Sequence, residues 1–340
     1  MTLMATEKVH RSRPAPPFGG SVAIEVCGLS KRYGTREVVK GIDFSVRCGE
    51  VFAFLGPNGA GKTTTVQVLE GFVERDGGTV RVLGVDPRHA TGEWRDRVGV
   101  VLQSSVPEPD LTVRETIEFY AGFYRRPLRC DEALGLTGLT EQANMRNRRL
   151  SGGQQRRLDV ALALIGDPDV LFLDEPTTGF DPVARRSAWE TVASLKHMGK
   201  TVFLTTHYLD EAEYLADRIA VIAEGSIVAV GTPESLAGRD RLPSTVSFRL
   251  EPGPGPGPGA GHRDHPPHLD ALGSALSAHV TGPVRAAEQG RYEVESRDPV
   301  ALVSELARWA GEKHMGAVDL RVTKPSLEET YMELVARGQA

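Results

Sequence analysis

The sequence predicts an α/β fold, and three observations carry that reading. Short apolar runs recur between residues 22 and about 231, helix-length segments separate them, and the most apolar runs are continuous rather than alternating. Continuous apolar strands are those covered on both faces, as in a parallel sheet flanked by helices. In chain order, residues 22–26, 42–46 and 79–83 alternate apolar and polar side chains, the pattern of antiparallel strands with one wet face. Residues 51–55, 98–102, 170–173, 202–205 and 219–222 are expected as central strands, and residues 62–69 and 159–165 as helices. Residues 111–150 hold few β-type runs and are expected as a helical insertion, within a helical subdomain of about 104–165.

The flanks differ from this core. Residues 1–20 have no periodicity and several prolines, and are expected as a flexible tail before a domain over 21–235. From 236 to 340 a smaller α+β domain is expected. Strands at 245–250, 283–287, 291–295 and 318–322 and helices at 268–278, 300–313 and 326–336 give the order β-α-β-β-α-β. An irregular extension lying on the first domain is the alternative. Residues 252–261 read PGPGPGPGAG, which removes backbone donors and adds chain entropy, so a linker or protruding loop is expected there.

Composition narrows the class. The 340 residues hold 40 Lys+Arg against 45 Asp+Glu, a net charge of −5 that gives nucleic acid or anionic lipid no general footing. Hydrophobic residues at 40% and charged residues at 25% exclude global disorder. Cys27, Cys48 and Cys130 are few, odd in number and without metal-ligand spacing, which favours a reducing cytoplasm over a disulfide framework. Pro14, Pro16 and Pro17 interrupt the N-terminus where a signal peptide needs apolar residues. No apolar run approaches the ~18 residues of a membrane helix. Any membrane role is therefore expected to be that of a peripheral subunit.

The chemistry starts at Gly56-Pro57-Asn58-Gly59-Ala60-Gly61-Lys62-Thr63, which fits G-x-x-x-x-G-K-[ST] between an expected strand and an expected helix. Glycines let successive backbone N–H groups turn inward as an anion nest, and the helix start adds its own unpaired donors. Lys62 is placed to bridge β- and γ-phosphates, the Thr63 hydroxyl to ligate Mg²⁺, and Thr64 to meet the α-phosphate. The next piece is the apolar strand ending in Asp174-Glu175-Pro176. Asp174 can hold Mg²⁺ through water, and Glu175 can polarise an attacking water. Alone, the pair reads equally as a solvated helix start. The third piece is Leu150-Ser151-Gly152-Gly153-Gln154. Ser151 and Gln154 form a capping-box pattern, and the helix end they open is also an anion site. One triphosphate does not need two such sites in one chain, so this end is expected to face the γ-phosphate of a second chain.

These three motifs, in this order, resemble those of ATP-binding subunits of ABC transporters, over about residues 22–235. The resemblance implies an adenine-stacking role for Tyr33, a Mg²⁺- and partner-sensing role for Gln103 and a γ-phosphate contact for His207. It also places Asp181 in a loop that touches the opposite subunit. Phe180 stands where many relatives carry Leu. The ending Lys324-Pro325-Ser326-Leu327-Glu328-Glu329-Thr330-Tyr331 resembles drug-exporter ATPases of the daunorubicin-resistance type. The implied assembly is two copies of this chain, joined head to tail over two ATP and Mg²⁺, beneath a separate multi-span permease on the inner face of the cell membrane. Hydrolysis would drive export of a drug or other hydrophobic compound. An importer ATPase and a non-transport ABC ATPase acting on DNA or ribosomes are the other readings. One phosphate loop, no heptad array and no paired Cys motifs weigh against the last.

Overall fold

The computed structural model describes residues 22–101, 107–236, 242–252, 269–287, 291–324, 327–328 and 331. The chain divides at Val228/Ala229 into two compact units.

The first unit opens with strands β1 (Val22–Tyr33) and β2 (Arg36–Arg47), then β3 (Val51–Leu55), α1 (Lys62–Leu69), β4 (Gly77–Val82), α2 (Gly92–Arg95) and β5 (Val98–Val101). The helical insertion follows with α3 (Val113–Ala121), α4 (Cys130–Leu136) and α5 (Gly152–Leu164). It continues through β6 (Val170–Asp174), α6 (Pro182–His197), β7 (Thr201–Thr206), α7 (Leu209–Leu215), β8 (Arg218–Ala223) and β9 (Ser226–Gly231), the last running across the division. A three-stranded antiparallel sheet has the order β2-β1-β4, and a six-stranded sheet the order β5-β6-β7-β3-β8-β9. Strands β5 through β8 are mutually parallel through β6, β7 and β3. Every residue of β3, β6 and β7 is buried, which is why their sequences lack alternation.

The two sheets meet over aromatic rings. Phe44 of β2 lies 5.5–5.9 Å from Phe52, Phe54 and Phe203. Phe52, Phe54, Phe172 and Phe203 are fully buried, each contributing roughly 1.5–3 kcal/mol of transfer free energy. This core holds the strand ends in register. Leu55 pairs with Thr206 and Asp174 with Thr205, so the carboxyl ends of three adjacent strands, β6, β7 and β3, open at one level. Ligands of open α/β sheets bind at such strand ends.

Strand β1 runs seven residues past its expected end. Its pairing shifts between Val26 and Leu29, around Gly28 at φ +62°, and the bulge breaks the period-2 pattern that the sequence reading relied on. Helices α6 and α7 and strand β9 had no counterpart among the sequence expectations.

The second unit holds β10 (Ser244–Pro252), α8 (Leu269–Leu276), β11 (Arg285–Ala287), β12 (Arg291–Ser296), α9 (Pro299–Glu312) and β13 (Met315–Thr323). Its antiparallel sheet has the order β11-β12-β10-β13. Val246, Phe248, Tyr292 and Val294 of the sheet pack against Leu272, Leu276, Leu302, Leu306 and Trp309 of the helices. The element order is the β-α-β-β-α-β expected. The proline- and glycine-rich stretch from 253 to 261, the tail 1–20 and most of the helix expected at 326–336 lie outside the described residues.

Candidate functional site

The glycine-rich loop of residues 56–61 connects β3 to α1 and is built where glycine is required. A Cβ on Gly56 would stand 2.4 Å from the Ile222 carbonyl oxygen. One on Gly61, at φ +103°, would stand 2.8 Å from that of Val38. The loop is tied to the sheet by Gly56 N–H donating to the Thr206 carbonyl at 3.3 Å, and to α1 by Thr65 Oγ1 donating to the Gly61 carbonyl at 2.9 Å. Pro57, Asn58, Gly59 and Ala60 complete the turn, and Ala60 accepts from Gly225 N–H at 3.1 Å. Thr63 is exposed and Thr64 half-buried at the helix start.

Lys62 is buried, with 4% of its side chain exposed. Its Nζ donates to the carbonyls of Gly56 at 2.8 Å and Pro57 at 3.2 Å, and lies 3.4 Å from Glu175 Oε1. The loop therefore curls around its own lysine.

Opposite stand the carboxylates. Thr205 Oγ1 donates to Asp174 Oδ1 and accepts from Glu175 N–H at 3.0 Å. Glu175 leaves β6 in the left-handed region, φ +47°, a conformation that costs a non-glycine residue about 1 kcal/mol or more. Its Oε2 accepts from Thr178 Oγ1 at 3.0 Å and lies 3.4 Å from His207 Nδ1. Burial works against the Glu175 charge, but Thr178, Lys62 and His207 together outweigh it and hold the carboxyl below its ordinary pKa. The group is thus ionised at neutral pH and suited to accept a proton from a polarised water. Nearby Glu70 behaves in the opposite way. Burial, then the Asp174 charge, pushes its pKa up to about 8, so it adds no third negative charge beside Asp174 at neutral pH.

The structure thus brings together Gly56–Thr63, Asp174, Glu175 and His207. Ser151 lies at the N-cap of α5, where its hydroxyl accepts from Gln154 N–H at 3.3 Å and its own N–H donates to Gln154 Oε1 at 2.9 Å. This is the capping box expected, with Gly152 exposed and Gly153 half-buried in the first turn. Asp181 caps α6, accepting from Val183 and Ala184 N–H at 2.9 Å each, so local structure alone accounts for its carboxylate. Phe180 lines a groove with Gly153, Ala184 and Ala188, small residues that leave room for its ring. Tyr33 ends β1 with its ring half-exposed and Lys31 Nζ 5.4 Å from its centroid. Gln103 lies outside the described residues.

Sequence reasoning missed Thr205, Arg156 and Glu211. Arg156, buried on α5, donates from Nε to the Pro176 carbonyl at 3.1 Å and from Nη2 to that of Asp174 at 3.2 Å, joining the Ser151 helix to the carboxylate turn. A single arginine beside a second one in Arg156-Arg157 carries no spacing signal. Only its reach to the two carbonyls at the end of β6 singles it out.

The profile of the ABC transporter family matches residues 39–178. The chain is 46% identical over 233 residues to a Nod factor export ATP-binding protein I of Ralstonia nicotianae, covering 67% of this chain and 72% of that protein. It is 37% identical over 320 residues to the daunorubicin resistance ATP-binding protein DrrA2 of Streptomyces coeruleorubidus, covering 92% and 94%. It is 33% identical over 314 residues to the linearmycin resistance ATP-binding protein LnrL of Bacillus subtilis, covering 91% and 97%. Among solved structures, the ADP form of MJ1267, an ATP-binding cassette of an ABC transporter, superposes with a TM-score of 0.57 at 25% identity, over 63% of this chain and 92% of that one.

Proposed function

We propose, for a chain that belongs to the ABC transporter ATP-binding proteins and hydrolyses ATP, that it energises export of a drug or other hydrophobic compound through a separate membrane permease. The observation that carries the export reading is the extent of similarity to DrrA2 and LnrL, each named for drug resistance. It reaches past the nucleotide-binding unit into the second unit and covers over nine-tenths of this chain. Among the described residues no helix is long and apolar enough to cross a membrane, so the path through the bilayer is assigned to the permease.

In this reading Lys62 and the N–H groups of residues 56–64 bind the phosphates, and Tyr33 stacks on adenine. Thr63 and Asp174 offer hard oxygen donors of the kind Mg²⁺ prefers, an exposed hydroxyl and a carboxylate at a strand end, with Gln103 assigned as a further ligand. Bound there, Mg²⁺ would neutralise phosphate charge. Glu175 accepts the proton of the attacking water, and His207, beside it, contacts the γ-phosphate. The α5 start, Ser151 to Gln154, faces the nucleotide of a second copy, and Asp181 touches that copy.

Docking of the permease is assigned to the helical insertion and its flank. A cleft of about 660 Å³ lies between Trp94 and Arg97 on one side and Tyr124, Arg126, Pro127 and Leu128 on the other. Phe119 and Tyr120 of α3 and Phe123 just beyond its end are exposed and pack edge to face 5.3–6.1 Å apart, an apolar patch of the sort that marks interaction surfaces. The chain would then sit peripherally on the inner face of the membrane.

The test is recovery of tagged Glu175→Gln protein from its native membranes in mild detergent with Mg-ATP, with partners identified by mass spectrometry. A multi-span membrane protein at near-equal stoichiometry is expected. A ribosomal or DNA-bound partner without one would overturn transport. The composite site has its own test. Ser151→Arg should leave ATP binding to the monomer unchanged within about threefold, while hydrolysis falls about a hundredfold or more, because a bulky cation replaces the cap at the facing helix end. Full activity of that variant as a monomer would remove the case for a site shared between copies.

A further inference from the structure

The helix after His207 carries a carboxyl to which neither phosphate binding nor proton transfer assigns a role. Glu211 lies on α7, one helical turn beyond His207, and is fully buried. Its Oε1 accepts two hydrogen bonds, from Thr177 Oγ1 at 2.8 Å and from Trp189 Nε1 at 3.1 Å. Its Oε2 is buried without a hydrogen-bond partner. Burial, the strongest influence on it, pushes the pKa of this carboxyl up against the pull of Thr206, Thr177 and Trp189.

The two donors come from segments that matter to the site. Thr177 is 1% exposed and sits in the turn leaving Glu175. Trp189 belongs to α6, the helix capped by Asp181, and its ring stacks on Tyr214 of α7 at 5.1 Å. One oxygen of Glu211 thus joins the turn that carries Glu175, the helix that follows Asp181 and the segment that carries His207. Glu175 is held from both sides. Its N–H is fixed on Thr205, and two residues later Thr177 is fixed on Glu211. That is what an unfavourable φ of +47° requires, since a strained backbone persists only where its neighbours over-determine it.

We propose that Glu211 is a positioning residue for ATP hydrolysis. Through Thr177 and Trp189 it fixes the turn bearing Glu175 against the segment bearing His207, and so keeps those two side chains at their 3.4 Å separation. Glu211 is fully buried and acts through these two donors. The inference rests on hydrolysis at Glu175 and is independent of what is transported or in which direction.

The experiment measures kcat, ATP KM and thermal midpoint of the full-length chain for wild type, Glu211→Gln, Glu211→Ala and Thr177→Val, with Glu175→Gln alongside. Gln keeps the shape of the side chain and an acceptor oxygen for Thr177 and Trp189, so its kcat should stay within about threefold of wild type. Ala and Thr177→Val release the turn. A misplacement of ~1 Å can cost ~10²-fold in rate, so kcat should fall about ten- to a hundredfold, while KM, set by the phosphate loop, stays within about threefold. Thr177→Val is nearly isosteric and decides the matter alone should Glu211→Ala fail to fold. A folded Thr177→Val chain with kcat within about threefold of wild type would overturn the proposal, and so would a loss confined to KM. Undiminished turnover in Glu175→Gln would instead refute the role of Glu175 itself, a separate failure.

Discussion

Replacing Glu175 by Gln should leave a protein that binds ATP, associates with a second copy in its presence and turns over about a hundred- to ten-thousandfold more slowly than wild type, the range for loss of a positioned general base. The geometry gives the reason. Gln preserves the volume and an acceptor oxygen for Thr178 Oγ1, and the Thr205 contacts to the backbone at 175 do not depend on the side chain. What it removes is the charge that Thr178, Lys62 and His207 stabilise against burial, and with it the only reason for a proton to move there. Because those partners lower the folded pKa, the carboxylate also contributes stability above the ordinary value of 4.5, and this is lost as pH falls through the lower folded value. The acid side of the wild-type stability curve should therefore be shallower in the Gln variant. ATPase rate, ATP-dependent size-exclusion elution and acid titration of the two proteins check these points. Near wild-type turnover would show that another group takes the proton.

Lys62→Ala has the second large expected effect, loss of nucleotide affinity by about a hundredfold or more. Charge-assisted hydrogen bonds are worth about 1.5–3 kcal/mol each, and one ammonium able to meet two phosphates supplies two of them. Lys62 is also the cation 3.4 Å from Glu175, so its removal leaves that carboxylate with His207 as its nearest basic group. Titration calorimetry with ATP and thermal melts with and without nucleotide read the effect. Retained tight binding would mean that the loop N–H groups suffice, contrary to the role given to the lysine.

The candidate site was legible in unequal parts. The turn from Gly56 to Thr63 was readable because it is a local chain conformation, one strand, one turn and one helix start contiguous in sequence. The cap formed by Ser151 and Gln154 was readable for the same reason, as both partners lie within one helical turn. Glu70, Arg156, Thr205 and Glu211 were not. Arg156 reaches across 18 and 20 residues to the carbonyls of Asp174 and Pro176, Thr205 across 31 to Asp174, and Glu211 across 34 to Thr177. No spacing rule connects such residues. Asp181 shows the reverse case, a residue whose role was expected between copies and whose carboxylate the fold of one chain already employs as a helix cap.

By itself the amino-acid sequence determined the α/β class, five of the six strands of the central sheet, the glycine-rich turn between β3 and α1 and the β-α-β-β-α-β order of the second unit. Each of these depends on periodicity or on backbone demands met within a few neighbouring residues. Only the tertiary structure decided the strand order β5-β6-β7-β3-β8-β9, and with it the meeting of Lys62, Glu175 and His207 at one sheet end. Strand order depends on which apolar faces fit together across the chain, a choice made by packing of side chains such as Phe44, Phe52 and Phe203. The lowered pKa of Glu175 and the raised pKa of Glu211 follow from the same source, because burial and partner charges exist only once the chain has folded.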